Sequence, residues 1–199
     1  MTAVRESTIP PGDRHAPRGH DGLEIVFLGD TSFGENYQAD LERRTGRNLL
    51  QERGYDACLA AFQPFLQKAD LVVANLETPL TKLNRSPLEG RKKYIHWSDP
   101  VKAPAALERH NVSVVALANN HAMDFGAPGL EQTLAALDAR GIARFGAGMN
   151  AAEASAPFER HFDIDGLPFD LQVISAYWWW WRYHWRYRFY ASRSRSGVN

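Results

Sequence analysis

Three short apolar runs in this chain each stop abruptly at a polar cluster, and that recurrence limits the folds available to it. Residues 23–28 end at Gly29-Asp30, residues 71–74 at Asn75-Leu76-Glu77, and residues 113–118 at Asn119-Asn120-His121. Runs of this length, rich in β-branched and aliphatic residues and bounded by turn formers, read as buried strands. Helical stretches lie between them, so the repeating unit is strand, polar loop, helix, strand, which implies a mostly parallel α/β sheet. Ligands of such sheets bind beyond the carboxyl ends of the strands. All three polar clusters fall there, and together they bring two carboxylates, several amides and an imidazole to one edge.

The connecting segments have their own signals. Tyr55, Cys58, Leu59, Phe62, Phe65 and Leu66 recur at spacings of three and four, which predicts one helix ending near Lys68 with an irregularity at Pro64. Further helices are expected over 104–110 and over 128–140, the latter with Leu130, Leu134 and Leu137 on one face and Gly141 as its stop. A fourth strand, 143–145, precedes Gly146-Ala147-Gly148, and Asn150 with Glu153 has the spacing of a helix N-cap and its reciprocal acid. Residues 158–164 and 169–175 read as a hairpin around 165–168. The long loop 78–99 carries Arg91, Lys92 and Lys93, a cluster that suits an anionic ligand or a solvated face.

Residues 1–22 form a polar leader, expected to be disordered, without the apolar stretch of a signal peptide, and 23–199 read as one domain. The single cysteine, Cys58, excludes a disulfide framework and a cysteine-based zinc site within the chain. No apolar run is long enough to span a membrane, so a cytoplasmic or peripheral location is expected.

The formal net charge is zero, with 23 basic and 23 acidic side chains, but the charges are unevenly placed. Residues 176–199 hold five arginines, no acid, and five of the six tryptophans. The body is therefore acidic and the tail cationic. From Trp181 to Phe189 rings and cations alternate, which predicts a strand with rings on one face and Arg182, His184, Arg186 and Arg188 on the other. Segment 177–190 suits a covered core or subunit contact, or a peripheral membrane or anionic-polymer surface. The acidic body and the absence of a recognition motif argue against a nucleic-acid partner.

Carboxylate, amide and imidazole donors suit Mn, Fe, Zn or Mg. Singly, Asp30 reads equally as a turn or cap residue, Glu77 as a solvated acid and His121 as a surface histidine. Their common position at strand ends favours a site.

Residues 116–154, beginning Ala-Leu-Ala-Asn-Asn-His, resemble the CapA-type capsule or poly-γ-glutamate synthesis proteins, a branch of the calcineurin-like metallophosphoesterase superfamily. Gly29 to Gly34 (GDTSFG) is similar to the family's opening motif, and Asn75 to Thr81 (NLETPLT) to its Asn-Leu-Glu motif. The resemblance implies a layered α/β sheet with flanking helices, of which this chain holds the N-terminal part. It implies Asp30, Glu77 and Asn120 as metal ligands, His121 as the acid or orienting group, and Asp124 holding the His121 imidazole. It further implies a divalent metal, two ions in the full-length domain, an anionic polymer or phosphoester substrate, and an envelope-associated biosynthesis complex. A non-catalytic scaffold or polymer-binding role, or an inactive fragment, is the competing expectation.

Ser32 stands where metallophosphoesterases usually carry histidine, and neither His161 nor His184, the histidines after His121, lies in the superfamily's His-x-His motif. The chain's ending resembles an internal stretch of the family, so a C-terminally truncated domain is expected.

Overall fold

The computed structural model describes residues 16–17 and 22–199, so most of the leader lies outside the described residues. Four parallel strands form the central sheet in the order β1 (Ile25–Thr31), β2 (Leu71–Leu76), β3 (Val114–Ala116) and β4 (Ala143–Phe145). The α/β expectation holds. Period-two alternation divides the sheet between two cores. Val72, Ala74, Leu76 and Val115 join the larger apolar cluster, and Leu71, Val73 and Val114 join a smaller one with Phe145, Phe158 and Phe162.

Helices α4 (Lys102–Arg109) and α5 (Gly126–Asp138) contribute Ala103, Ala106, Leu107, Leu130, Leu134 and Leu137 to the larger core. The opposite face is covered by the hairpin of β6 (Phe158–Ile164) and β7 (Leu167–Val173). Its turn is Asp165-Gly166, both with positive φ (54° and 80°), the geometry of a type I′ turn. Leu167 and Pro168 therefore belong to β7 and not to the loop expected there. Asn150 caps α6 (Ala151–Ser155) by accepting the Glu153 N–H at 3.0 Å, and the Glu153 carboxylate turns back to the Met149 N–H at 2.9 Å.

Three local expectations need correction. The strand expected to stop before Gly29-Asp30 continues to Thr31, because a register shift between Leu28 and Asp30 absorbs Gly29. β1 is also an edge strand, with Phe27 59% exposed, and so is only half buried.

The helix expected over 55–68 is broken. Two single 3₁₀ turns (Tyr55–Cys58 and Ala60–Phe62) lead into a four-residue α3 (Gln63–Leu66). Pro64 lacks an N–H and cannot sit inside a longer helix, so it starts a new turn instead. Once the 3.6-residue period is lost, Leu59 and Leu66 stay buried while Phe62 and Phe65 face outward. Two helices that periodicity did not suggest, α1 (Glu35–Thr45) and α2 (Leu49–Arg53), fill the space between β1 and these turns.

The alternating tail is not a strand. Arg182–Tyr187 form a π-helical turn, and the rings gather around Tyr183, with Tyr177, Trp180, Tyr187 and Phe189 at centroid distances of 4.8–5.4 Å. Burying Tyr183 and Phe189 in the larger core outweighs the strand pattern. A two-stranded pairing of β5 (Ala147–Gly148) with β8 (Gly197–Val198) fastens the end of the tail to the body. Gly146 enables this turn: its φ is +86°, and a Cβ there would lie 2.9 Å from the Ala118 backbone nitrogen. No helix among the described residues is long and apolar enough to cross a membrane.

Candidate functional site

The carboxyl ends of β1, β2 and β3 lie side by side, with Asp30 paired to Asn75 and Thr31 to Leu76 in register. The Glu77 N–H continues the pairing onto the Thr31 carbonyl at 3.0 Å. Side-chain amides then link the three motifs. Asn75 Nδ2 donates to Asp30 Oδ1 (2.7 Å), and Asn119 Nδ2 donates to Asn75 Oδ1 (3.1 Å) and to the Leu76 carbonyl (2.9 Å). Asn119 Oδ1 in turn accepts the N–H groups of His121 (3.0 Å) and Ala122 (2.9 Å). Asn119, 4% exposed, is thus the keystone between two strand ends and the turn that presents His121.

His121 Nδ1 lies 2.7 Å from Asp124 Oδ2. The two residues share a tight turn, with the Asp124 N–H on the His121 carbonyl, and not the helical face that their spacing suggested. Asp124 is fully buried and collects two more donors: the His96 N–H at 2.7 Å on Oδ2, and the Lys92 ammonium on Oδ1. Lys92 Nζ also donates to the Asn120 carbonyl at 2.6 Å and sits 3.1 Å from His121 Nδ1. Burial pushes the Lys92 amine below its ordinary pKa, against the opposing pull of Asp124.

The His96 ring stacks on that of His121, centroids 3.5 Å apart and planes within 4°. Its Nδ1 faces the Glu77 carbonyl at 3.0 Å, which requires an Nδ1–H donor, and Nε2 is left to accept from Tyr37 Oη at 3.3 Å. Burial holds the His96 pKa below its usual value. The same neutral form best tolerates a second imidazole at stacking distance.

Glu77 completes the edge. Burial, and next the Asp30 charge, raise its pKa above the ordinary carboxylate range, while His121 and Lys92 oppose the shift. Asp30 is exposed, and the Asn120 side chain is half-buried with no hydrogen bond among the described residues. Asp30, Glu77, Asn120, His121 and Asp124 are therefore brought to one edge. His161 pairs with Asp170 on the hairpin at 2.8 Å, and His184 stands among the tail rings. Sequence reasoning marked Lys92 only as one of a basic cluster and missed His96; both enter from the long loop. Buried lysine within Arg91-Lys92-Lys93 leaves no periodic signal, and His96 lies upstream of the Asn-Asn-His motif. A larger cavity of about 660 Å³, walled by Leu83, Ile95, Trp97 and Phe125, lies apart from these groups.

The model of the family described as bacterial capsule synthesis protein PGA_cap matches residues 24–175, which contain the three strand-end motifs and the network joining them. The chain belongs to this family. It is similar to the PGA biosynthesis protein CapA of Bacillus subtilis, 28% identical over 134 residues, which is 67% of this chain and 32% of that protein. The capsule biosynthesis protein CapA of Bacillus anthracis is 26% identical over 133 residues, 67% of this chain and 30% of the relative. A probable polyglutamine synthesis accessory protein of Mycobacterium tuberculosis is 43% identical over 91 residues, 44% of this chain and 23% of the relative. The chain spans about a third of the length of the two Bacillus relatives.

Proposed function

We propose that this PGA_cap chain serves capsule or poly-γ-glutamate-type polymer synthesis and carries a metal-assisted site that cleaves or transfers a phosphoester. The observation that carries this reading is the His121–Asp124 pair seated beside two carboxylates at adjacent strand ends. With Nδ1 engaged by Asp124, His121 keeps Nε2 for proton transfer. His96 fixes the plane of that ring from one side, and Lys92 holds the Asp124 carboxylate on which its orientation depends. The amide relay through Asn75 and Asn119 holds Asp30 by its Oδ1.

The donor set fits a hard cation. Asp30 and Glu77 offer carboxylate oxygens; burial first, and then the Asp30 charge, raise the Glu77 pKa, and positive charge between the two carboxylates would relieve their repulsion. Among the described residues no three His, Cys, Asp or Glu side chains group closely enough to hold an ion. Two carboxylates and one amide oxygen are a set that suits Mg or Mn, which keep several waters and need only one or two carboxylates, better than a protein-caged Zn or Fe. Asp30, Glu77 and the Asn120 amide oxygen would hold it. When bound, such an ion polarises a phosphoryl oxygen and acidifies an attacking water. His121 Nε2 would then deliver the proton to the leaving oxygen.

Hydrolysis of an alkyl phosphodiester, whose alkoxide needs a proton as it leaves, with Mn or Mg and compared between the wild type and His121→Ala, tests the reading. The expected loss is about 10²–10⁴-fold, the range of general acid catalysis. Equal rates in the two proteins, with or without metal, would refute it.

The tail supports a second reading, a non-catalytic component that binds polymer or docks peripherally. Trp178, Trp179, Trp181 and Trp185 are 53–74% exposed beside Arg182, Arg186 and Arg188. Such a surface suits a membrane interface or another subunit of a synthesis complex. Sedimentation with vesicles containing anionic lipid, unaffected by His121→Ala, would separate this role from turnover.

A further inference from the structure

A cavity of about 190 Å³ opens beside His121, between the loop at Lys93-Tyr94 and the tail at Trp180-Arg182. Lys92, Lys93 and Arg182 line it, and no acidic side chain does. Lys92 is neutralised by Asp124, whereas the other two cations are held by rings. Lys93 Nζ lies 4.8 Å from the Tyr94 centroid, and the Arg182 guanidinium carbon lies 5.1 Å from that of Trp180 and 5.7 Å from that of Trp181. A ring face orients a cation without cancelling its charge, so both groups keep their full attraction for an anion. The tail is fixed against the loop here: the Tyr187 hydroxyl donates to the Arg91 carbonyl at 2.7 Å, and the Arg91 guanidinium donates to the Arg186 carbonyl at 2.6 Å. Two cations from segments about ninety residues apart are thereby set on one cavity.

We propose that this cavity is an oxyanion subsite, in which Arg182 and Lys93 receive one phosphate or carboxylate group while the body of that unit lies on Tyr94 and Trp180. The volume decides the size of the ligand. It is below the ~300 Å³ at which whole small-molecule sites begin, so it accommodates one anionic unit and not a polymer segment. The planar guanidinium of Arg182 offers parallel donors to two oxygens, and Lys93 adds a point charge. Asn120 and His121 also line the cavity, so an anion held here lies next to a group reacting at His121. In this last respect the inference rests on the function proposed above.

The test is a titration of the metal-free chain with inorganic phosphate and, separately, with glutarate, followed by the ¹⁵N–¹H signals of the Arg182 side chain and the Lys93 amide. Saturable shifts at both positions are expected, and Arg182→Gln combined with Lys93→Gln should weaken binding at least tenfold. Arg193→Gln, an exposed charge outside the cavity, should change it less than twofold. Saturation by phosphate alone assigns a phosphoester unit, and saturation by glutarate alone or by both assigns a carboxylate-bearing one. No saturable shift with either anion, or equal weakening by the double variant and Arg193→Gln, overturns the subsite. Because the readout needs neither metal nor turnover, failed hydrolysis would leave the subsite standing, and hydrolysis without anion binding would remove the subsite alone.

Discussion

Asp124→Ala would unbalance more of the site than any other single substitution, because one fully buried carboxylate serves three donors. Removing it leaves the Lys92 side chain, 7% exposed, without its counter-charge, and the His96 N–H and His121 Nδ1 without their acceptor. Breaking one partner of a buried ion pair costs about 3–5 kcal/mol, and each orphaned buried donor about 1–3 kcal/mol. The upper sum is not reached, since Lys92 already has a lowered pKa and can shed its proton once Asp124 is gone. The expected loss is therefore about 3–5 kcal/mol. Lys92→Met leaves Asp124 buried with two hydrogen bonds and should cost about 3 kcal/mol. The double variant removes both charges, so its cost should fall short of the sum by about 2 kcal/mol. Urea denaturation of the four proteins at neutral pH measures this coupling. Additivity within about 0.5 kcal/mol would show that the two residues do not act as a pair and would refute the reasoning. A pH series adds a signed check. The folded-state pKa of Lys92 lies below its ordinary 10.5, so between the two values the unfolded chain holds more protons and stability rises with pH. The deficit of Asp124→Ala should accordingly narrow in alkaline solution.

Other consequences are equally specific. Asn119→Ala removes the acceptor for two N–H groups and the donor to Asn75 and Leu76, and should lower stability by about 2–4 kcal/mol. It should also weaken Mn binding, measured by electron paramagnetic resonance; an unchanged urea midpoint would contradict the keystone role. Glu77 has a folded-state pKa above its ordinary 4.5, so the folded chain keeps its proton longer and stability falls as pH rises through that window. Glu77→Gln should flatten this fall, and parallel curves between about pH 4 and 7 would count against it. His96 has the opposite sign: its folded-state pKa lies below 6.5, so stability present above that value is lost as pH falls through the lowered pKa. His96→Phe should abolish this acid-side loss in thermal melts, and retention of the loss would place its origin elsewhere.

What could be read in the sequence and what could not divide along a physical line. Buried strands have short, self-contained signals, so β2, β4 and the first strand of the hairpin fall where the apolar runs place them. The strand ends carried the polar motifs because a parallel sheet presents those ends to one side whatever the rest of the chain does. Where local pattern and tertiary packing disagreed, packing won. The alternation of residues 181–189 would suit a strand, but no strand conformation can bury Tyr183 and Phe189 together against the main core while Trp181 and Trp185 stay outside. The spacing over residues 55–66 suits a helix only if Pro64 does not interrupt it. In both cases residues were correctly marked as apolar, and the error lay in assuming one backbone period for the whole segment.

The site itself shows why motifs give only half of such a centre. Asp30 is placed by the end of β1, and Glu77, Asn120 and His121 by the strands they follow, so neighbouring residues encode their position. Lys92 and His96 reach Asp124 from 32 and 28 residues earlier, across a loop with no periodic signal. Nothing near them in sequence distinguishes Lys92 from Arg91 and Lys93, which are exposed. The distinction arises because an imidazole braced by a buried carboxylate needs that carboxylate's charge balanced, and only a cation excluded from water does this without occupying the Nε2 side of the ring. The loop is thus part of the site's electrostatics even though it supplies no strand-end motif. A substitution at Lys92 should disturb His121 less than one at Asp124, which holds the ring directly, whereas the same substitution at Arg91 should affect only the docking of the tail.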